Sequence, residues 1–180
     1  MENGAKKVGL RMAAGVLVAI TIIVAVFASG ITFPNQEMKT GRLTVLLTDA
    51  PVDLDKLLIT VDELEVHQVG EGEGEWISII KNIPEFNLLD YQEQETLELG
   101  SVNIDVGKYN KIRMYVSKAT AIYEDESSVD LNVPSGKIDV ITEFELVDGG
   151  SKVVTIDMEP DWVAISNHGN LRPTLKAIIS

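Results

Sequence analysis

The stretch that decides the fold class is Lys137-Ile-Asp-Val-Ile-Thr-Glu-Phe-Glu-Leu146, because it alternates with period two. Ile138, Val140 and Phe144 fall on one side, and Asp139, Glu143 and Glu145 on the other. Residues two apart share one face of a strand, whereas a helix would scatter them around its circumference. Asp148-Gly149-Gly150 follows at once and is a strong signal for a tight turn between strands. The segment reads as a half-buried strand, apolar inward and acidic outward.

The same period governs the chain from Gly41 onward. Downstream, Ser151 to Met158 reads as a strand, Glu159 to Asn170 as a longer loop holding Trp162, and Leu171 to Ile179 as a closing strand. Pro173 in that last strand predicts an edge position or a bulge. Upstream, Val129 to Val133 is short and turns at Pro134-Ser135-Gly136. Lys111 to Tyr123 puts Ile112, Met114 and Val116 on one face and Arg113 and Tyr115 on the other. Leu97 to Ile104 is a short strand with a turn at Gly100. Pro84 to Gln92 is irregular, with Phe86, Leu88 and Leu89 as plugs for one end of the core. Glu75 to Ile80 carries Trp76 and pairs back across the glycine-rich tip Gly70 to Gly74. Lys56 to Val69 is long. Its inward set begins as Leu57, Ile59 and Val61 and resumes as Leu64 and Val66, so a β-bulge is expected at Asp62 and Glu63. Arg42 to Thr48, with Leu43, Val45 and Leu47 inward, stops at Asp49-Ala50-Pro51. About eight or nine short strands with no long amphipathic helix predict an all-β, antiparallel β-sandwich.

The first part of the chain is of another kind. Met12 to Phe33 has no charged side chain, and Lys6, Lys7 and Arg11 stand just before it. As a helix it would span about 33 Å, close to a hydrocarbon core. The basic residues precede it and no basic excess follows, which puts the N-terminus in the cytoplasm and the rest outside. Its length favours a retained transmembrane signal anchor. Small residues at Val26 and Ala28, or at Ala28 and Gly30, also permit a cleaved signal peptide. The expected organisation is a cytoplasmic stub with this segment over 1–33, a linker over 34–40 and an extracytoplasmic domain over 41–180. The expected localisation is the cell membrane, single-pass with the domain outside, or secretion after cleavage.

The chain of 180 residues has a formal net charge of −13 and no cysteine. The absence of cysteine excludes a disulfide scaffold, a thiol nucleophile, thiolate-ligated zinc and a lipid-modified cysteine anchor. The first 40 residues are slightly basic, so the domain itself carries about −15. Such a surface repels nucleic acid and suits solubility in a salty or crowded envelope.

Gly41 to Asp53, read as GRLTVLLTDAPVD, resembles the opening of domain-of-unknown-function family 4382, whose members begin G-x-L-x-V-x-L-T-D-A-P-x-D. Leu88-Leu89-Asp90 is similar to its Leu-Leu-Asp, with Tyr91 in place of the usual leucine. Val106 to Arg113 resembles its Ala-Gly-x-Tyr-x-x-Ile-Arg, Val133-Pro134-Ser135-Gly136 matches directly, and Leu171-Arg172-Pro173 sits where the family has Leu-x-Pro. The resemblance covers about residues 41 to 180. It implies a prokaryotic, often archaeal, cell-surface protein with a prealbumin-like or starch-binding-like sandwich, beside the Ig-like sandwich that the strand pattern suggests. It implies no reaction, ligand or functional residues.

The candidate sites are few. Asp49, Asp53 and Asp55 lie on one loop, and loop carboxylates are the ligands Ca²⁺ takes, although the spacing is not that of an EF-hand. The competing role is local, with Asp49 closing a turn on backbone amides. Arg113 and Tyr115, with Trp162, would make an outward platform for stacking a sugar ring; the competing role for the tryptophans is packing. Tyr109, just after Gly107, fits a tyrosine corner, whose hydroxyl binds upstream backbone. His67 falls in the outward phase of its strand, and His168 sits on a loop beside Ser166. No G-x-S-x-G, H-E-x-x-H, phosphate loop or dinucleotide fingerprint occurs. The expected function is non-enzymatic: a membrane-tethered surface module for binding or assembly, without a required cofactor beyond the Ca²⁺ considered above. Expected partners are the membrane through Met12 to Phe33, and an envelope polysaccharide or surface protein, not nucleic acid. A carbohydrate-binding module and a surface filament subunit are the alternatives, with a secreted hydrolase behind them.

Overall fold

The alternation seen in the sequence becomes two stacked sheets. The computed structural model describes residues 39–49, 52–70, 72–92, 95–161, 164–165 and 168–180. No helix among them is long and apolar enough to cross a membrane. The Met12–Phe33 segment lies outside the described residues, as does Trp162.

Nine strands are described: β1 (Thr40–Asp49), β2 (Lys56–Val69), β3 (Glu75–Asn87), β4 (Leu97–Asp105), β5 (Gly107–Ile122), β6 (Ser128–Asp130), β7 (Lys137–Leu146), β8 (Ser151–Glu159) and β9 (Thr174–Ile179). One sheet has the order β4-β1-β8-β9. The other has β3-β2-β5, with β6 and β7 sharing the far side of β5. Inward rows from both sheets, including Leu43, Val45, Leu64, Val66, Ile112, Val140, Val154 and Ile156, make one core. Burying such side chains is the main favourable term in the fold.

The bulge expected in β2 is present. Val61 pairs with Val116 and Glu63 with Tyr115, which leaves Asp62 as the extra residue. Val61 and Leu64 are both buried while Asp62 is exposed, so the bulge rephases the strand and keeps both apolar halves inward.

Four expectations change. The sandwich is not wholly antiparallel, because β1 and β8 run parallel from Arg42↔Ser151 to Asp49↔Met158. β8 is delivered to its sheet by the turn from β7 in the other sheet, so its direction is set by β7 and not by β1. Gly100 is no turn but lies within β4, opposite a register shift at Val45/Leu46. A Cβ there would stand 2.2 Å from Ile80 Cδ1, so this glycine lets β3 of one sheet approach β4 of the other and close that side of the sandwich. Finally, β3 runs on through Pro84 to Asn87, where an irregular stretch was expected. As an edge strand it tolerates a proline, whose missing N–H faces away from the ladder. Between β8 and β9, Ala164, Ile165 and His168 have helical backbone where a loop was expected.

Gly41 shows how local sequence is fixed by packing. It is buried at the start of β1, under the turn from β7 to β8. A Cβ there would lie 2.6 Å from Leu146 Cγ and 2.8 Å from the Val147 carbonyl oxygen. Backbone cannot rotate away as a side chain can. Gly41→Ala is therefore expected to destabilise the domain by about 1–3 kcal/mol, read as a lower midpoint in denaturant with unchanged slope.

Candidate functional site

The outward face of the five-stranded sheet carries most of the chemistry, and strand register arranges it in rows. One row runs Trp76, His67, Lys111, Ile141; the next Ser78, Glu65, Arg113, Asp139; the third Lys81, Glu63, Tyr115, Lys137. Directly opposite side chains in such rows are close enough to interact.

Arg113 is the hub. Its Nε and Nη2 donate to the two carboxylate oxygens of Asp139, at 2.7 and 2.9 Å. The guanidinium carbon also lies over the Trp76 ring, 3.9 Å from its centroid. The paired hydrogen bonds hold the Asp139 carboxyl below its ordinary range against an opposing effect of burial, and raise the Arg113 guanidinium further. Tyr115 donates to Glu65 at 2.9 Å. Glu63 accepts from Ser78 and pairs with Lys81, and these contacts lower its pKa. His67 is half-buried against Trp76, its Nε2 on the Glu73 carbonyl at 2.9 Å and its Nδ1 on the Asn110 side chain at 2.8 Å.

The face is thus ordered by internal pairs. Arg113 and Tyr115, the two described members of the expected sugar platform, are neighbours on it. Each is already bound to an acidic partner, and one face of Trp76 is covered by Arg113. Sequence reading missed Asp139 and Glu65 as their partners because pairing across strands depends on register.

Beside this face, at the register shift around Asn110, lies a cleft of about 480 Å³. Val69, Lys108, Asn110, Glu143 and Glu145 line it, with Tyr109 and Phe144, which stack on each other at 5.1 Å and are themselves buried. Its polar lining offers donors and acceptors.

The aspartates of the β1–β2 loop are not gathered. Asp49 is buried and accepts from Gln92 Nε2 at 3.4 Å, whereas Asp53 and Asp55 are exposed. No three His, Asp or Glu groups among the described residues converge to hold a metal ion. His168 is exposed, and Ser166 lies outside the described residues.

Tyr109 is buried, and its hydroxyl donates to the Asp105 carbonyl at 2.7 Å, the tyrosine corner expected from the sequence. A family model described as "Domain of unknown function (DUF4382)" matches residues 40–173. The chain belongs to the DUF4382 family. Comparisons with curated proteins and with solved structures find no match.

The motifs that resemble the DUF4382 pattern supply mainly core and turn positions here. Leu43, Val45 and Leu47 are fully buried, and Asp49 ends the strand inside the protein. Leu88 is buried in a short 3-10 turn, Leu88–Tyr91, capped by Asn87. Gly107, at φ 153°, lets the Gln68 side chain reach the Val106 carbonyl. Ser135 and Gly136 both take left-handed φ in the turn before β7. Leu171 is buried in the core.

Burial, helped by the nearby Asp105 charge, pushes the Tyr109 hydroxyl from 10.0 up to about 12. The unfolded chain then loses this proton before the folded one, so stability falls as pH rises through that window. Tyr109→Phe should lose about 1 kcal/mol at neutral pH. It should also flatten the alkaline fall in stability between about pH 10 and 12. Denaturant melts of both proteins across that range check both parts.

Proposed function

We propose that this DUF4382 protein is a non-enzymatic, membrane-tethered module whose sandwich stands outside the cell and serves binding or assembly in the envelope. One observation carries the reading. A charge-free run, Met12 to Phe33, with basic residues only on its N-terminal side, leads directly into a strongly acidic β-sandwich. Acidity keeps such a domain soluble and off anionic lipid headgroups. The internally paired face of the five-stranded sheet supports a rigid display surface. Protease treatment of intact cells should remove the domain, while membranes washed at high pH retain the N-terminal fragment. A soluble mature protein beginning at Ser29 or Ile31 would remove the tether and leave export intact.

A second reading, a carbohydrate-binding module, is favoured by the cleft at Asn110. Polyhydroxyl ligands take amide and carboxylate partners such as Asn110, Glu143 and Glu145, and the cleft volume is within the usual range for small ligands. A glycan array with calorimetry tests it. Asn110→Ala should weaken any saccharide binding at least tenfold, and binding to no saccharide would eliminate this reading.

A further inference from the structure

The two ring nitrogens of His67 face different kinds of partner. Nε2 lies 2.9 Å from the Glu73 carbonyl oxygen in the β2–β3 hairpin. Nδ1 lies 2.8 Å from the Asn110 side-chain oxygen, at the register shift in β5. Trp76 packs against the ring with 4.8 Å between centroids. A Cβ on Gly74 would stand 2.7 Å from the ring, so a glycine, here at φ 75°, is what lets the hairpin close over it.

A backbone carbonyl can only accept, so Nε2 carries a proton whatever the charge of the ring. The Asn110 side chain, by contrast, can turn either of two ends toward Nδ1. With the ring charged, Nδ1 also carries a proton and donates to Asn110 Oδ1, the contact found in the structure. With the ring neutral, its single proton stays on Nε2 and Nδ1 becomes an acceptor. Asn110 then satisfies Nδ1 only by turning its NH2 group inward. One nitrogen is fixed and the other switches.

Asn110 also lines the cleft with Lys108, Glu143 and Glu145. Among the described residues its side chain bonds to His67 alone, so the other end of the amide is left for a ligand. The charged groups about the ring come from four strands and the hairpin. Lys111 is directly opposite on β5, Glu65 is on the same face of β2, and Arg113 lies over the Trp76 ring. Glu73 and Glu75 belong to the hairpin, and Glu143 is in the β7 stretch opposite Asn110. As classes, carboxylates, lysine and arginine ordinarily keep their charge between about pH 5 and 8, the range in which histidine changes its own.

We propose that His67 orients the Asn110 amide, so that proton uptake by the ring turns Asn110 from an acceptor into a donor toward the cleft. The consequence for a saccharide rests on the carbohydrate-binding reading; the exchange at Asn110 does not. Glu143 and Glu145, when ionised, can only accept, so a sugar hydroxyl held by either gives its single proton there. That hydroxyl can then only accept from Asn110. It is matched when Asn110 presents its NH2 group, which is when His67 is charged. Saccharide binding therefore strengthens as pH falls through the His67 titration. His67 is a positioning residue and acts on the ligand through Asn110.

The chain has two histidines, and the other, His168, is exposed and serves as the reference. Full-length protein labelled with nitrogen-15 at His and Asn is titrated in detergent micelles between about pH 5 and 8 and followed by NMR. Neutral His67 should carry its proton on Nε2, and the Asn110 NH2 signals should move with the His67 ring and not with His168. Asn110→Asp, whose carboxylate only accepts, should move the His67 midpoint to higher pH. Neutral His67 with its proton on Nδ1, or Asn110 signals indifferent to the His67 titration, would overturn the proposal. Calorimetry then uses the saccharide bound most tightly on the glycan array. Its affinity should rise roughly threefold or more from the high to the low end of the range. The rise should be absent in His67→Gln. Equal affinity at both ends in the wild-type protein also overturns the proposal. With no saccharide bound at any pH, the carbohydrate reading falls, while the Asn110 signals still decide this one.

Discussion

The antiparallel pairing of β2 with β5 is the constraint on which the rest depends. It runs from Lys56↔Ile122 to Val69↔Lys108 and puts the two longest strands at the middle of one sheet. Strands that long twist, and a uniform ladder would carry one end of each apolar row away from the core. The extra residues in the ladder, Asp62 on β2 and Asn110 and Ser117 on β5, correct this locally. Each resets the phase, so that Leu57 and Val66, or Tyr109 and Met114, stay buried on the same side.

The same irregularities create the chemistry of the outward face. The shift at Asn110 sets its side chain against His67 and opens the cleft beneath Lys108 and Glu143. The regular ladder between the shifts aligns Glu65, Arg113 and Asp139 in one row. Arg113 then satisfies Asp139 and covers Trp76 together, so one cation joins three strands. Exposed ion pairs alone contribute little. Stacking on an aromatic ring adds packing to the charge and explains why this Arg is held in place while Lys81 and Lys118 remain largely exposed.

The residues through which the chain resembles its family are residues the fold needs. Gly41 lies under a turn, Leu43 to Leu47 fill the core, Tyr109 locks the corner before β5, and Gly136 permits a left-handed turn. A pattern made of such positions identifies an architecture.

Strand positions, the bulge at Asp62 and the tyrosine corner were legible in the sequence because each follows from neighbours in the chain: period, a break in period, or a glycine before a tyrosine. The apolar run at Met12 to Phe33 is legible for the same reason. The parallel placement of β8 beside β1, the close packing over Gly100 and the partners of Arg113 and Tyr115 were not. Each depends on which distant strand lies alongside, and pairs such as Arg113 and Asp139 are set by ladder register that no local pattern encodes. The sequence by itself determined an acidic all-β domain behind an apolar segment. Only the tertiary structure decided which charges neutralise one another and which strands lie side by side, because sheet order and register are global choices among many strands of similar local preference.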